Sequence, residues 1–368
     1  MSLYLWNSKL IFSYGENRMN SMNFLTGSSK STWQPVKTVD TTTSSYWFNW
    51  RVLLCGVWLL ISMVFSSIVI HKYEGARNSK QESREAQQES AGVLYDDEIW
   101  RPCLKGIHPG WLLAFRIVAF FVLLALWIIN VAFDGDVIFY FYTQWTFMLV
   151  TFYFGIGSLL SMYGCYQYHK ETGGDRIDNQ DFDAEQGTNA APTQLENSNA
   201  SNAAKCSGHT ENLRVRQTAG FLGYAFQIIF QINTGAVMLT DCVFWFILVP
   251  YLLSKDYSLN FSLVNMHTVN AVLLLGDTAL NCMPFPWFRM AYFFLWADVY
   301  VIFQWIVHAS VSIGWPYPFL DLSSPFAPLW YLLMALMQFP CYGIFALIMK
   351  TKQLLFAKWF PQSYRGAR

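Results

Sequence analysis

Long apolar runs alternate with polar breaks over most of the chain. Seven runs stand out, at 50–70, 110–133, 137–166, 220–253, 261–282, 288–313 and 326–349. About 20 apolar residues in a helix cross roughly 30 Å of hydrocarbon, so each run predicts a transmembrane helix. Tyr46, Trp47 and Trp50 place an aromatic belt at the start of the first. The turn Asp134-Gly135-Asp136 separates the second run from the third.

The polar breaks differ in kind. Residues 1–45 form a polar tail whose later part is dominated by Ser and Thr. Residues 72–109 are charged and read as an exposed hydrophilic linker. Residues 170–212 hold almost no large apolar side chain, which predicts a disordered loop. Within that loop DFDAEQG resembles a calcium loop, but Gln186 stands where the sharp turn needs glycine and Pro192 where glutamate would chelate. No metal site is expected there. Residues 356–368 form a basic tail.

The run 220–253 is long enough to be one tilted helix or two short ones, and charge decides between them. With seven spans, Lys72, Arg77, Lys80, Arg84, Arg101, Lys105, Lys170, Arg176, Lys205, Arg214, Arg216, Arg289 and the tail share one side. The other side keeps the N-terminal segment and Lys255. Cytosolic loops carry the excess of Lys and Arg. The expected fold is an all-α, seven-span bundle with its N-terminus out and its C-terminus cytosolic.

Composition agrees. Of 368 residues, 54% are apolar and 13% charged, about half the usual charged fraction. Formal charge sums to zero, which leaves no basic footprint for nucleic acid. Seven cysteines without a CxxC pair argue against a disulfide framework or a zinc ribbon, and no cofactor is expected. The expected partners are membrane lipids.

Candidate chemistry lies in the polar groups inside the runs. Asp241, Asp277, Asp298, His267 and His308 each cost about 2.5–3.5 kcal/mol to insert at a helix centre. The seven-span topology gives their depth. Thr143 lies seven residues after Asp136, His267 seven after Asn260 and His308 six before Gly314. At 1.5 Å per residue, all three sit about 9–10 Å below the outer surface. A threonine hydroxyl next to a neutral histidine is a pair for acyl transfer, the histidine taking the proton. Thr143 and His267 are that candidate pair, with His308 as a supporting acid, base or orienting group.

Structural roles compete with this reading. Threonines in membrane helices commonly bond back to a carbonyl one turn earlier, as expected for Thr146 and Thr151. Either histidine can simply bond across helices. The aspartates can pair with Arg116, bond to neighbouring helices or line a proton path, while Arg116 is close enough to its helix end to snorkel outward.

Three stretches carry a resemblance. FYTQWTFMLVTFYFGIG, VNMHTVNAVLLLGD and WIVHASVSIGWPYPFLDL resemble, in order and spacing, the threonine-bearing helix, the histidine helix and a later helix of the androgen-induced family of membrane hydrolases. The similarity runs from about residue 110 to 355. It implies a six-helix core with one extra helix, 46–71, in front. It also implies a Thr143 nucleophile, a His267 base and lipid esters of hydroxy fatty acids as substrates. The chain is also similar to rolling-stone-like proteins and a group of plant membrane proteins, which implies a non-enzymatic alternative in cell or organelle contact. Further classes are a proton-coupled transporter using Asp241 and Asp298, and a seven-span receptor. Against a receptor, no Asp-Arg-Tyr or Asn-Pro-x-x-Tyr run is present.

Overall fold

Helices account for nearly all of the regular structure, and the described residues contain only isolated β-bridges. The computed structural model describes residues 39–75, 92–185, 217–250 and 261–365. Seven long helices stand where the apolar runs lie: α1 (Trp50–Ile70), α2 (Pro109–Asp134), α3 (Tyr142–Glu185), α4 (Phe221–Val243), α5 (Phe261–Leu280), α6 (Met290–Ser310) and α7 (Ala327–Trp359). Among the described residues, six segments are long and apolar enough to cross a membrane; the seventh helix, α5, is not among them. Asn265, His267, Asn270 and Asp277 interrupt its apolar run.

Local chemistry sets the helix ends. The Asn49 side chain accepts the Arg51 N–H at 3.2 Å and starts α1. His108 Nδ1 accepts the Gly110 N–H at 3.0 Å, and Pro109, whose missing N–H has no helical partner to lose, opens α2. Gly135, at φ +70°, stops α2. The third run does not begin as an α-helix: Gly135–Tyr140 is a 3₁₀ helix, and α3 starts at Tyr142. Helix α3 then runs through Glu185, so residues 170–185 of the stretch expected to be disordered are helical; 186–212 lie outside the described residues.

Helix α4 is the axis of the bundle, packing on α3, α5, α6 and α7. Helix α1 packs on α6 and α7, whereas α2 lies on the far side against α3. Close approach is achieved at Gly235, where a Cβ would stand 2.5 Å from the Phe293 ring.

Two further sequence expectations change. The second half of the 72–109 linker is not an exposed strand of chain: Leu94, Ile99, Trp100 and Cys103 are buried in it. Its Leu94 carbonyl accepts the Ala219 amide, and its Cys103 amide donates to the Leu280 carbonyl. Arg116 does not snorkel. It is fully buried and donates from Nε to Asp277 Oδ1 at 2.8 Å. Thr146 and Thr151 do bond back to the Tyr142 and Phe147 carbonyls, at 3.1 and 2.9 Å.

Candidate functional site: a cavity among six helices

A cavity of about 100 Å³ opens where α1, α3, α4, α5, α6 and α7 converge. Thr143 and His267 both line it, together with Asp298. His308 does not line it.

Thr143 is held by the start of its own helix. Trp145 Nε1 donates to the Phe139 carbonyl at 2.9 Å. Tyr300 and Gln304, one turn apart on α6, both donate to the Tyr140 carbonyl at 2.7 Å. These bonds tie the 3₁₀ segment to α6 and put Thr143 in the first turn of α3. There the backbone amides lack intrahelical partners. The Thr143 amide instead donates to the Tyr317 hydroxyl at 3.4 Å, and the Thr143 hydroxyl lies 3.4 Å from the same oxygen. Tyr317 precedes the Pro318–Leu320 3₁₀ turn and stacks on Phe319 with ring centroids 5.0 Å apart.

His267 comes from α5. Its ring stacks on Phe244 at 3.9 Å, and its Nδ1 is 3.4 Å from Asp241 Oδ1 on α4. A carboxylate at Nδ1 favours the tautomer that carries its proton there, leaving Nε2 as the acceptor. The hydrogen-bond partner of the Thr143 hydroxyl is Tyr317, not His267. The two candidate groups therefore share a cavity without a direct bond.

His308 belongs to the roof at this end of the bundle. Its Nδ1 donates to the Gln304 carbonyl at 2.7 Å, its ring stacks on Trp315 at 3.8 Å, and its carbonyl accepts the Thr41 hydroxyl at 2.7 Å. Trp315 Nε1 donates to the Tyr46 hydroxyl at 3.0 Å, which in turn donates to Asp321 at 3.3 Å. Burial pushes the Tyr46 phenol up, and the Asp321 carboxylate adds to it. His308 is thus enclosed by the structural ties of the roof.

The three aspartates take three roles. Asp277 pairs with Arg116, Asp241 faces His267, and Asp298 accepts the Ser62 hydroxyl at 2.8 Å. Sequence reasoning missed Tyr317 and Ser62. Tyr317 had a signal, since it lies in the Trp-Pro-Tyr-Pro-Phe run; Ser62, one small residue in a uniformly apolar span, had none. Among the described residues no cluster of His, Cys, Asp and Glu could hold a metal ion. No protein-family profile, curated protein or solved structure matches this chain.

Proposed function

We propose that this integral membrane protein hydrolyses ester bonds of amphipathic lipids, esters of hydroxy fatty acids among them, from within the bilayer. Thr143 is the nucleophile and His267 its base. The observation that carries the reading is the convergence of Thr143 and the Asp241-backed His267 on one cavity. The chain spans the membrane seven times, α5 included, with its N-terminus out and its C-terminus cytosolic.

In this scheme Thr143 Oγ attacks the ester carbonyl as its proton passes to His267 Nε2. Asp241 holds the imidazole in the required tautomer and supports the imidazolium. The Tyr317 hydroxyl, beside both the Thr143 hydroxyl and amide, is placed to donate to the carbonyl oxygen as it gains charge. The imidazolium returns the proton to the leaving alcohol. Water then cleaves the acyl-threonine with His267 again as base, releasing the acid and restoring the threonine. Substrate must displace the Tyr317 contact and draw Thr143 toward His267, a tightening common on passing from free to substrate-bound sites.

Membranes containing the protein should be treated with a fluorophosphonate or β-lactone probe and the adduct located by mass spectrometry. The expected adduct is on Thr143, lost in Thr143→Ala. Thr143→Ala and His267→Ala should each lower lipid-ester hydrolysis by at least about 10²-fold, with the double variant no worse. Full hydrolysis by a folded Thr143→Ala variant would overturn the assignment. A parent protein inert toward every lipid ester tried would favour a non-enzymatic contact role.

A further inference from the structure

Asp298 is not used by that chemistry. It is buried on α6, lines the cavity, and among the described residues accepts a hydrogen bond from the Ser62 hydroxyl of α1 at 2.8 Å. Among the described residues it has no ion-pair partner, and the cavity lining contains neither Lys nor Arg. A lone carboxylate in an apolar bundle is costly unless a positive charge or a proton reaches it. The other two intramembrane aspartates have such a group within the protein, Arg116 for Asp277 and His267 for Asp241.

The walls around Asp298 favour a positive charge. Trp58, Tyr142, Tyr300, Tyr317, Phe319 and Tyr331 line the same cavity. Aromatic faces carry partial negative charge and attract cations, more so when these are desolvated. One carboxylate within an aromatic surround is chemistry for an ammonium group. The small volume suits a primary amine better than a bulky headgroup, and the remaining lining, including Leu59, Val301 and Met334, suits an alkyl chain.

We propose that the cavity binds a single-chain amphiphile bearing a primary ammonium group, with Asp298 as its counter-ion and Ser62 holding the carboxylate in place. This binding does not depend on ester hydrolysis. The headgroup sits between α1 and α6, so α1 contributes directly to ligand selection.

The test uses the full-length protein in uncharged detergent and a dodecylamine carrying a photoreactive diazirine. Labelling should map to the α1 and α6 peptides that contain Ser62 and Asp298. Unlabelled dodecylamine should compete at least tenfold better than dodecanol, and dodecanoate should compete worst. Asp298→Asn should erase the preference for the amine over the alcohol, while Ser62→Ala should weaken it several-fold. Equal competition by amine and alcohol in the parent would overturn the proposal and indicate a protonated carboxyl that binds hydroxyls. So would an amine preference that survives Asp298→Asn. The parent ligand series decides the matter even if the variants fail to fold, and it is read without any hydrolysis assay.

Discussion

Arg116 shows what one residue does in this bundle. Beyond Asp277, its Nη1 donates to the Ile99 carbonyl at 3.0 Å and to the Ser161 hydroxyl at 2.8 Å. Asp277 in turn accepts from Tyr153 at 2.5 Å and Asn281 at 2.8 Å. A fully bonded buried ion pair adds little net stability, but removing one partner strands the other. Asp277→Leu or Arg116→Met alone should therefore cost about 3–5 kcal/mol, and the double variant should recover much of the loss. Thermal unfolding in detergent, followed by fluorescence-detected size exclusion, gives the comparison. Single variants as stable as the parent would mean the network does not hold the bundle. The sequence offered Arg116 as a partner for an aspartate but could not say that Asp277 is that partner, because α2 is apolar on every side. Leu112, Ala119 and Leu123 share the face of Arg116 and are fully buried, whereas Trp111, Val118 and Phe121 are exposed. Spacing links positions 112, 116, 119 and 123, but nothing in the composition of α2 says which stripe faces inward. The same limit applies at the cavity. Depth along a helix is readable by counting residues; direction around it is not. Counting put Thr143, His267 and His308 at one level, and only the first two point into the shared space.

At the scale of elements, helix positions were legible and the connection before α2 was not. Apolar length predicts α1 at the bounds it has, and turn chemistry at Gly135 ends α2. The segment 92–108 misled because the charged run Asp96, Asp97, Glu98 and Arg101 marks it as polar, while Leu94, Ile99, Trp100 and Cys103 turn inward. It docks because α3 has no side chain at Gly164: a Cβ there would stand 2.1 Å from Trp100 Cγ. The Arg101 side chain then reaches Glu171 on α3 at 3.2 Å. Gly164→Ala must displace Trp100, at a cost of about 1–3 kcal/mol for overpacking. In solubilised protein this should raise trypsin cleavage after Lys105 several-fold while leaving the assembled bundle intact by size exclusion. Unchanged cleavage would show that the tryptophan is accommodated without releasing the segment.

For the whole molecule, the contacts sort the helix ends into two groups. At one end Glu74 accepts from Arg289 at 2.8 Å, the Cys103 amide donates to the Leu280 carbonyl, and Lys352 donates to the Asn281 carbonyl at 2.6 Å. The end of α1, the approach to α2, the end of α5 and the start of α6 thus gather with the basic part of α7. At the other end Thr41 reaches His308, and Arg51 donates to the Ser323 carbonyl at 2.6 Å. Helix α5 returns from the neighbourhood of Asp241 to the basic end, so it runs the depth of the bundle although its polar residues weaken its apolar character. Two of those polar residues have roles inside the bundle: His267 faces the cavity, and Asp277 answers Arg116. A helix whose polar groups find partners inside a bundle can cross a membrane that its mean hydropathy alone would not recommend. The proposed seven crossings would put the termini on opposite sides, with the basic end cytosolic. An epitope at the N-terminus should accordingly bind antibody on intact cells, or on sealed outside-out vesicles if the membrane is internal. An epitope at the C-terminus should bind only after permeabilisation. Termini on the same side would mean that α5 does not cross. Opposite sides with the C-terminus outward would reverse the orientation and move the Thr143–His267 cavity to the cytosolic half of the bilayer.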